Sequence, residues 1–331
     1  MVRSVRRSVF EDALAAACPS TCPRLPNEVE IGLRHRFVEA NGVRFHVVEA
    51  GGDASGEGGT ADTSRPLVLL LHGFPEFWYG WRSQIAALAG PFRVAVPDLR
   101  GYNLSDKPAS GYDYETLASD VPALIRALGA ERAHVVGHDW GGMVAWGAAI
   151  FHPEVVDRLA ILNAPHPGAY LRELGRNPKQ WLRSWYIGLF QAREFAEWLL
   201  TRGHGRGVAD MLRGSALDPG AFSADDLAAY RRAVCRPGAA SAMLAWYRAL
   251  WVSDKQALRA RLRTVSAPTL LIWGLEDVAL VPELTEDLDA WVPGVRVERI
   301  ADASHWVQHE RPELVNRLLL EHLDGGAPTP G

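Results

Sequence analysis

Cysteine is scarce in this chain. Cys18, Cys22 and Cys235 are all it has in 331 residues, too few and too unevenly spaced for a disulfide framework. Cys18 and Cys22 also lack the second pair that a zinc site needs, so no metal is expected. Long apolar runs are missing as well. The longest near-continuous one, Leu67 to Leu71, is strand-length and far short of the ~18 residues of a membrane helix. Neither charge sign is in large excess: a formal net charge of −4 gives no basic footprint for nucleic acid and no acidic tail. Met1 to Ser8 is basic and leads into Ala13 to Ala17, but Glu11 and Asp12 interrupt what a secretory signal would need as its apolar region. The expectation is an ordered or frayed extension on a cytoplasmic protein. These absences point to small-molecule chemistry, with neither nucleic acid nor membrane as a partner.

What is present centres on Val135-Val136-Gly137-His138-Asp139-Trp140-Gly141-Gly142. Apolar residues run into a turn of small residues, and a helical pattern follows in Met143, Val144, Trp146, Ala149 and Ile150. This is the strand-turn-helix context of a nucleophile elbow, in which two glycines let the backbone fold sharply and push the residue between them outward. Alone, the motif fits an ordinary turn with Asp139 as a helix N-cap equally well. The rest of the chain decides between the two.

The elbow residue is an aspartate. A carboxylate of ordinary pKa ~3.9 is already an anion at neutral pH and attacks an sp3 carbon directly. The product is an ester on the enzyme, whose cleavage needs a water activated by a general base and backbone N–H donors for the oxyanion. Two-step hydrolysis of an alkylating substrate, an epoxide or an alkyl halide, is therefore expected.

Along the chain, Arg34 to Glu39 and Val43 to Val48 flank Asn41-Gly42, a hairpin signal. Gly51 to Arg65 is small and polar and reads as a flexible surface loop. Strands are expected at Leu67 to Leu71, Phe92 to Val96, Val156 to Leu162, Thr269 to Trp273 and Val295 to Ile300, and helices at Trp81 to Leu88, Tyr114 to Leu128 and Glu313 to Leu323. This alternation predicts an α/β fold built on a mostly parallel, doubly wound sheet. It is interrupted by about a hundred helical and aromatic residues. The expected organisation is an extension over 1–30, a core over 31–164 and 268–323, a helical lid over 165–267 and a tail over 324–331.

The chemistry needs partners, and the strand ends supply them. Leu67 to Leu71 runs into His72-Gly73-Phe74-Pro75-Glu76-Phe77-Trp78, which places the N–H of Phe74 beside that of Trp140 as an oxyanion pair. Later strands run into Glu276-Asp277 and into Asp302-Ala303-Ser304-His305-Trp306. The order nucleophile, acid, histidine is that of an α/β-hydrolase triad. His305 is expected to activate water and Asp277 to orient it, with Glu276 and Asp302 as rival orienters. His72 and His138 are expected as hydrogen-bonding residues behind the site, and Trp78 and Trp185 in or behind the substrate pocket.

His72 to Trp78, Gly137 to Gly142, Asp277 and Ser304-His305-Trp306 together resemble the epoxide hydrolase branch of the α/β-hydrolase fold, over about residues 30 to 323. The resemblance implies a pair of lid tyrosines that protonate the opening epoxide. Tyr186 and Tyr247 match those positions, with Tyr79, Tyr102 and Tyr230 as weaker candidates. It implies water addition to an apolar or aryl epoxide through an aspartyl ester, with no cofactor. Partners are then a small-molecule epoxide and water, with a homodimer allowed.

The nearest alternative is a haloalkane dehalogenase, which uses the same aspartate but needs N–H donors for halide and no proton. Trp140 offers one such donor and Trp185 a substitute second, whereas Phe74 stands where an Asn is often found. The tyrosine pair favours the epoxide. Trp140 in place of Arg disfavours a fluoroacetate dehalogenase, Asp139 excludes a serine esterase at this elbow, and the filled triad disfavours a non-catalytic binding protein.

Overall fold

The computed structural model describes residues 32–51 and 65–325. The extension over 1–30 with Cys18 and Cys22, the polar loop over 52–64 and the tail beyond 325 lie outside the described residues. Eight strands form one sheet: β1 (Arg34–Ala40), β2 (Val43–Ala50), β3 (Leu67–Leu71), β4 (Arg93–Pro97), β5 (Ala133–His138), β6 (Val156–Leu162), β7 (Thr269–Gly274) and β8 (Arg296–Ile300). Their spatial order is β1-β2-β4-β3-β5-β6-β7-β8. The hairpin turns at Asn41 and Gly42, which take φ of +45° and +72°, the left-handed pair that a two-residue turn between twisted strands requires. β1, β2 and β4 pair antiparallel, and β4, β3, β5, β6, β7 and β8 run parallel.

Every residue of β3, β4, β5 and β7 is buried, as expected of central strands covered on both faces by crossover helices. Those helices are α1 (Arg82–Leu88), α2 (Tyr114–Ala127) and α3 (Asp139–Phe151), joined at the carboxyl end by α11 (Val307–Glu310) and α12 (Pro312–Leu323). Trp81, expected to open the first helix, instead ends a 3-10 turn over Trp78–Trp81. The whole turn is buried, so packing of its indoles overrides helical propensity there.

Between β6 and β7 the chain forms only helices: α4 (Pro167–Arg176), α5 (Pro178–Arg183), α6 (Trp185–Leu189), α7 (Phe195–Ser215), α8 (Ala224–Val234), α9 (Ala239–Val252) and α10 (Lys255–Arg261), with a short 3-10 turn at Pro219–Ala221. α7 is broken by non-helical backbone at Arg202–Gly205, where Gly203 and Gly205 weaken it. Buried polar contacts tie this insertion to the sheet: Tyr230 donates to Glu76 (3.0 Å) and the Trp246 indole to the carbonyl of Arg100 (3.1 Å). Register places Leu71 beside Gly137, Leu162 beside Ile272 and Gly274 beside Ile300. The carboxyl ends of five parallel strands therefore meet along one edge, where open α/β sheets bind their ligands.

Candidate active site

Asp139 sits just past the end of β5 with φ of +49°, a left-handed conformation that is strained for a residue with a side chain. Close packing of the elbow enforces it. A Cβ on Gly141 would lie 2.1 Å from the carbonyl oxygen of Leu71, and one on Gly137 would lie 2.4 Å from that of Gly141. Only glycine lets α3 start so close to β3.

The Asp139 carboxylate is gripped from two sides. Its Oδ1 accepts a hydrogen bond from the backbone N–H of Phe74 at 2.7 Å. Its Oδ2 lies 3.6 Å from Nε2 of His305. Trp140 occupies the first turn of α3, where backbone N–H groups have no partner within the helix and remain free for an oxyanion.

Behind the histidine stands Asp277, whose Oδ2 lies 2.7 Å from Nδ1 of His305. Asp277 is itself held by the N–H groups of Ala279 and Leu280, and by the Asn163 amide at 2.8 Å. Of the rival carboxylates, Glu276 is exposed and Asp302 pairs with Arg311 at the surface. Burial pushes the charged form of His305 down, but the Asp277 carboxylate, then the nearby Asp139 carboxylate, outweigh it and hold the ring well above its ordinary range. For Asp277 the desolvation is likewise outweighed, by His305 and Asn163, and its carboxyl lies below the usual value.

The tyrosines come from two helices of the insertion. Tyr186 on α6 and Tyr247 on α9 stand with ring centroids 5.9 Å apart, and both line the cavity at Asp139. Burial, reinforced for Tyr247 by the Asp139 charge and for Tyr186 by Tyr170 and Asp139, drives both phenols well above their ordinary pKa. Both therefore stay protonated and able to donate at any working pH. The other candidates are occupied elsewhere or buried away. Tyr79 donates to Asp226 and Tyr230 to Glu76, and the Tyr102 hydroxyl is buried without a partner and does not line the cavity.

The cavity has two arms that meet at Asp139, Tyr186 and Tyr247. The narrow arm, about 50 Å³, is walled by Met143, Pro165, Tyr170, Ile187, Leu250 and Leu280. The wide arm, about 460 Å³, runs past Phe74, Phe190, Met211 and Trp306 to Trp185 and Val278. Trp185 is thus in the pocket wall, while Trp78 is not: it is fully buried against His35, Phe77 and Tyr79. His72 also stays behind the wall, where its Nε2 accepts from the N–H of Leu99.

His138 has a more specific place. Its Nδ1 faces Glu76 at 2.9 Å and its Nε2 faces the carbonyl oxygen of His305 at 2.9 Å, so both nitrogens meet acceptors. Glu76 is buried and also receives His309 (2.8 Å) and Tyr230 (3.0 Å). Burial alone raises Glu76, but the hydrogen bonds from His138 and His309 overcome it and keep the group ionised well below the usual carboxylate range. Sequence reasoning assigned no role to Glu76, Asn163 or Glu310, which holds the N–H of Ser304 at 2.6 Å and so anchors the His305 loop. A lone carboxylate inside the apolar run Phe74 to Trp78 was the available signal for the first of these.

Residues 66–312 match the family model described as the alpha/beta hydrolase fold. The chain is 40% identical over 295 residues to the AB hydrolase superfamily protein YfhM of Bacillus subtilis, covering 88% of this chain and 98% of that one. It is 34% identical over 318 residues to Epoxide hydrolase 4 of Mus musculus, covering 93% and 84%. Among solved structures, an epoxide hydrolase from Bacillus megaterium in complex with an inhibitor superposes with a TM-score of 0.78 at 33% identity, covering 87% of this chain and 100% of that one. A mutant of that enzyme complexed with its product, a naphthyloxy-propane-1,2-diol, gives 0.76 at 34% identity over the same shares.

Proposed function

Because the chain belongs to the epoxide hydrolases of the alpha/beta hydrolase fold, we propose that it converts an apolar or aryl epoxide to a vicinal diol through an ester on Asp139. Oδ1 of Asp139 is held by the Phe74 N–H, so Oδ2 is the attacking atom. It forms a bond to an oxirane carbon, the ring C–O bond breaks, and Tyr186 or Tyr247 gives its proton to the departing oxygen. Water then loses a proton to Nε2 of His305 and attacks the ester carbon. The negative charge that develops on Oδ1 is met by the N–H groups of Phe74 and Trp140. Collapse expels the second glycol oxygen, which takes the proton from His305, and the proton left on the Asp139 carboxyl restores the tyrosine.

The observation that carries this reading is the pair of tyrosines, Tyr186 and Tyr247, that line the cavity at Asp139 with ring centroids 5.9 Å apart. Halide departure needs no proton. The Trp140 indole, the donor a dehalogenase would use, packs edge-on against the Tyr247 ring at a centroid distance of 5.1 Å. In the same proposal, Asp277 orients His305, and Glu76 with His138 fixes the backbone of the His305 loop. The helical segment 165–267 acts as the lid of a core made of 31–164 and 268–323. The enzyme works in the cytoplasm on a small-molecule substrate and water, with at most a second copy of itself as macromolecular partner.

The test is a single turnover in ¹⁸O-labelled water with a glycidyl aryl ether, alongside a panel of haloalkanes. The expected result is unlabelled diol, one labelled oxygen in Asp139 and no released halide. Asp139→Ala should form no diol. Label in the first-turnover diol, or halide without diol, overturns the mechanism.

A further inference from the structure

The charge of the chain is divided along the fold. Residues 165–267 hold sixteen Lys and Arg against eight Asp and Glu, a net of +8, so the rest of the chain carries −12 within the overall −4. Inside the insertion, residues 174–193 contain Arg176, Lys179, Arg183 and Arg193 and no acid. Of these, Arg176 pairs with Glu173 and Arg183 donates to the carbonyls of Asp277 and Leu280, while Lys179 and Arg193 are exposed. Glu194 follows, and the next acid, Glu197, is paired with Arg248.

The same stretch exposes large apolar side chains. Trp181 is 69% exposed, Leu182 71% and Trp185 67%. Trp181 and Leu182 lie in α5, and Trp185 opens α6 just past the Ser184 break. Trp185, together with Val278 at 56% exposure, also lines the wide arm of the catalytic cavity. The cluster of exposed apolar residues therefore reaches the cavity mouth through Trp185.

Large apolar side chains exposed so close together in the chain mark an interaction surface. A second copy seated on it would bring like charge against like charge and would cover the mouth. Tryptophans interleaved with Lys and Arg are the composition of a segment that lies in a bilayer's headgroup layer, and a +8 segment is drawn to anionic lipid. We propose that this face docks on an anionic lipid bilayer. Trp181, Leu182 and Trp185 enter the headgroup boundary, Lys179 and Arg193 meet the lipid charge, and the cavity mouth opens toward epoxides dissolved in the membrane. The delivery of substrate rests on the epoxide hydrolase reading; the docking does not. No helix among the described residues is long and apolar enough to cross a membrane, and peripheral docking needs none. The expectation of no membrane partner thus narrows to no membrane span.

The experiment is flotation of the full chain with phosphatidylglycerol–phosphatidylcholine vesicles and with pure phosphatidylcholine vesicles, at low and high salt. The expected result is at least about tenfold more protein on the anionic vesicles at low salt, falling as salt rises. Trp181→Glu with Leu182→Glu should lower that binding by about tenfold or more, while turnover of a water-soluble epoxide in vesicle-free buffer is unchanged. Lys179→Glu with Arg193→Glu should weaken binding to anionic vesicles alone. Undiminished binding by the Trp181→Glu, Leu182→Glu variant overturns the proposal. So does absence of vesicle binding, whether the face proves to hold a homodimer that this variant dissociates or to bind single-stranded DNA. Docking without any diol formation would leave the surface standing and overturn the activity instead.

Discussion

In the proposed mechanism one charge, that of Asp139, serves two steps. The anion of Asp139 is among the causes that hold His305 above its ordinary pKa in the resting enzyme, and ester formation removes that anion. The base therefore becomes easier to deprotonate when water must be activated, without any movement of side chains. Asp139→Asn imitates the uncharged ester, so the His305 pKa should fall in that variant, read from the pH titration of its ring carbons by NMR; an unchanged value would remove the coupling. In the proposed mechanism the tyrosines act before this point. Tyr186→Phe and Tyr247→Phe should each slow ester formation about 10- to 100-fold, since the remaining phenol still donates, and the double variant should lose both terms. Rapid-quench detection of the ester separates this loss from an effect on its hydrolysis. Their pKa values lie far above neutrality, so neither tyrosine should shape the pH profile below pH 10.

At the scale of elements, the turn after β3 is the joint between sheet and insertion. Glu76 in that turn gathers His138 from β5, His309 from α11 and Tyr230 from α8. Tyr230→Phe leaves the ring packing intact and removes one donor to a buried anion, which should cost about 1–3 kcal/mol. The thermal midpoint should drop by several degrees with the cavity still able to form ester; an unchanged midpoint would mean water replaces the phenol. This joint also shows where sequence reading stops. The proposed nucleophile, acid and histidine were legible because each follows a strand whose apolar run is visible, and parallel register carries those ends to one edge. The tyrosine positions were legible through resemblance, and the exclusion of Glu276 and Asp302 needed the fold. Glu76 and Asn163 were not assigned roles, because their partners lie as far as 62 to 233 residues away along the chain. A buried carboxylate is distinguished from a solvated one only by what folding packs around it.

At the scale of the whole molecule, the alternation of strands and helices exposed the sheet class, but the buried histidines set a property that no local pattern displays. Burial lowers His35 to about 4, helped by His46, and lowers His322 to about 4 and His166 to about 3. Each is neutral in the fold and binds a proton on unfolding between its folded value and the unfolded value of ~6.5. In that window the unfolded state holds more protons, so stability falls as pH falls, by up to about 1.4 kcal/mol per pH unit for each histidine. The partly exposed His35 should contribute less than buried His166 and His322. Glu76, Asp98 and Asp277, all held below their ordinary values, add losses in the same direction only at still lower pH. His305 has the opposite sign: its raised pKa stabilises the fold below ~6.5 and that contribution is lost as pH rises through its folded value. The stability maximum should therefore lie above pH 6.5, with a decline that begins near pH 6 rather than in the carboxylate range. Thermal melts from pH 4.5 to 9 test this. A midpoint that stays flat from pH 7 down to 4.5 would mean that these histidines take up protons inside the fold, whereas His166→Gln should reduce the acid slope and leave the neutral plateau in place.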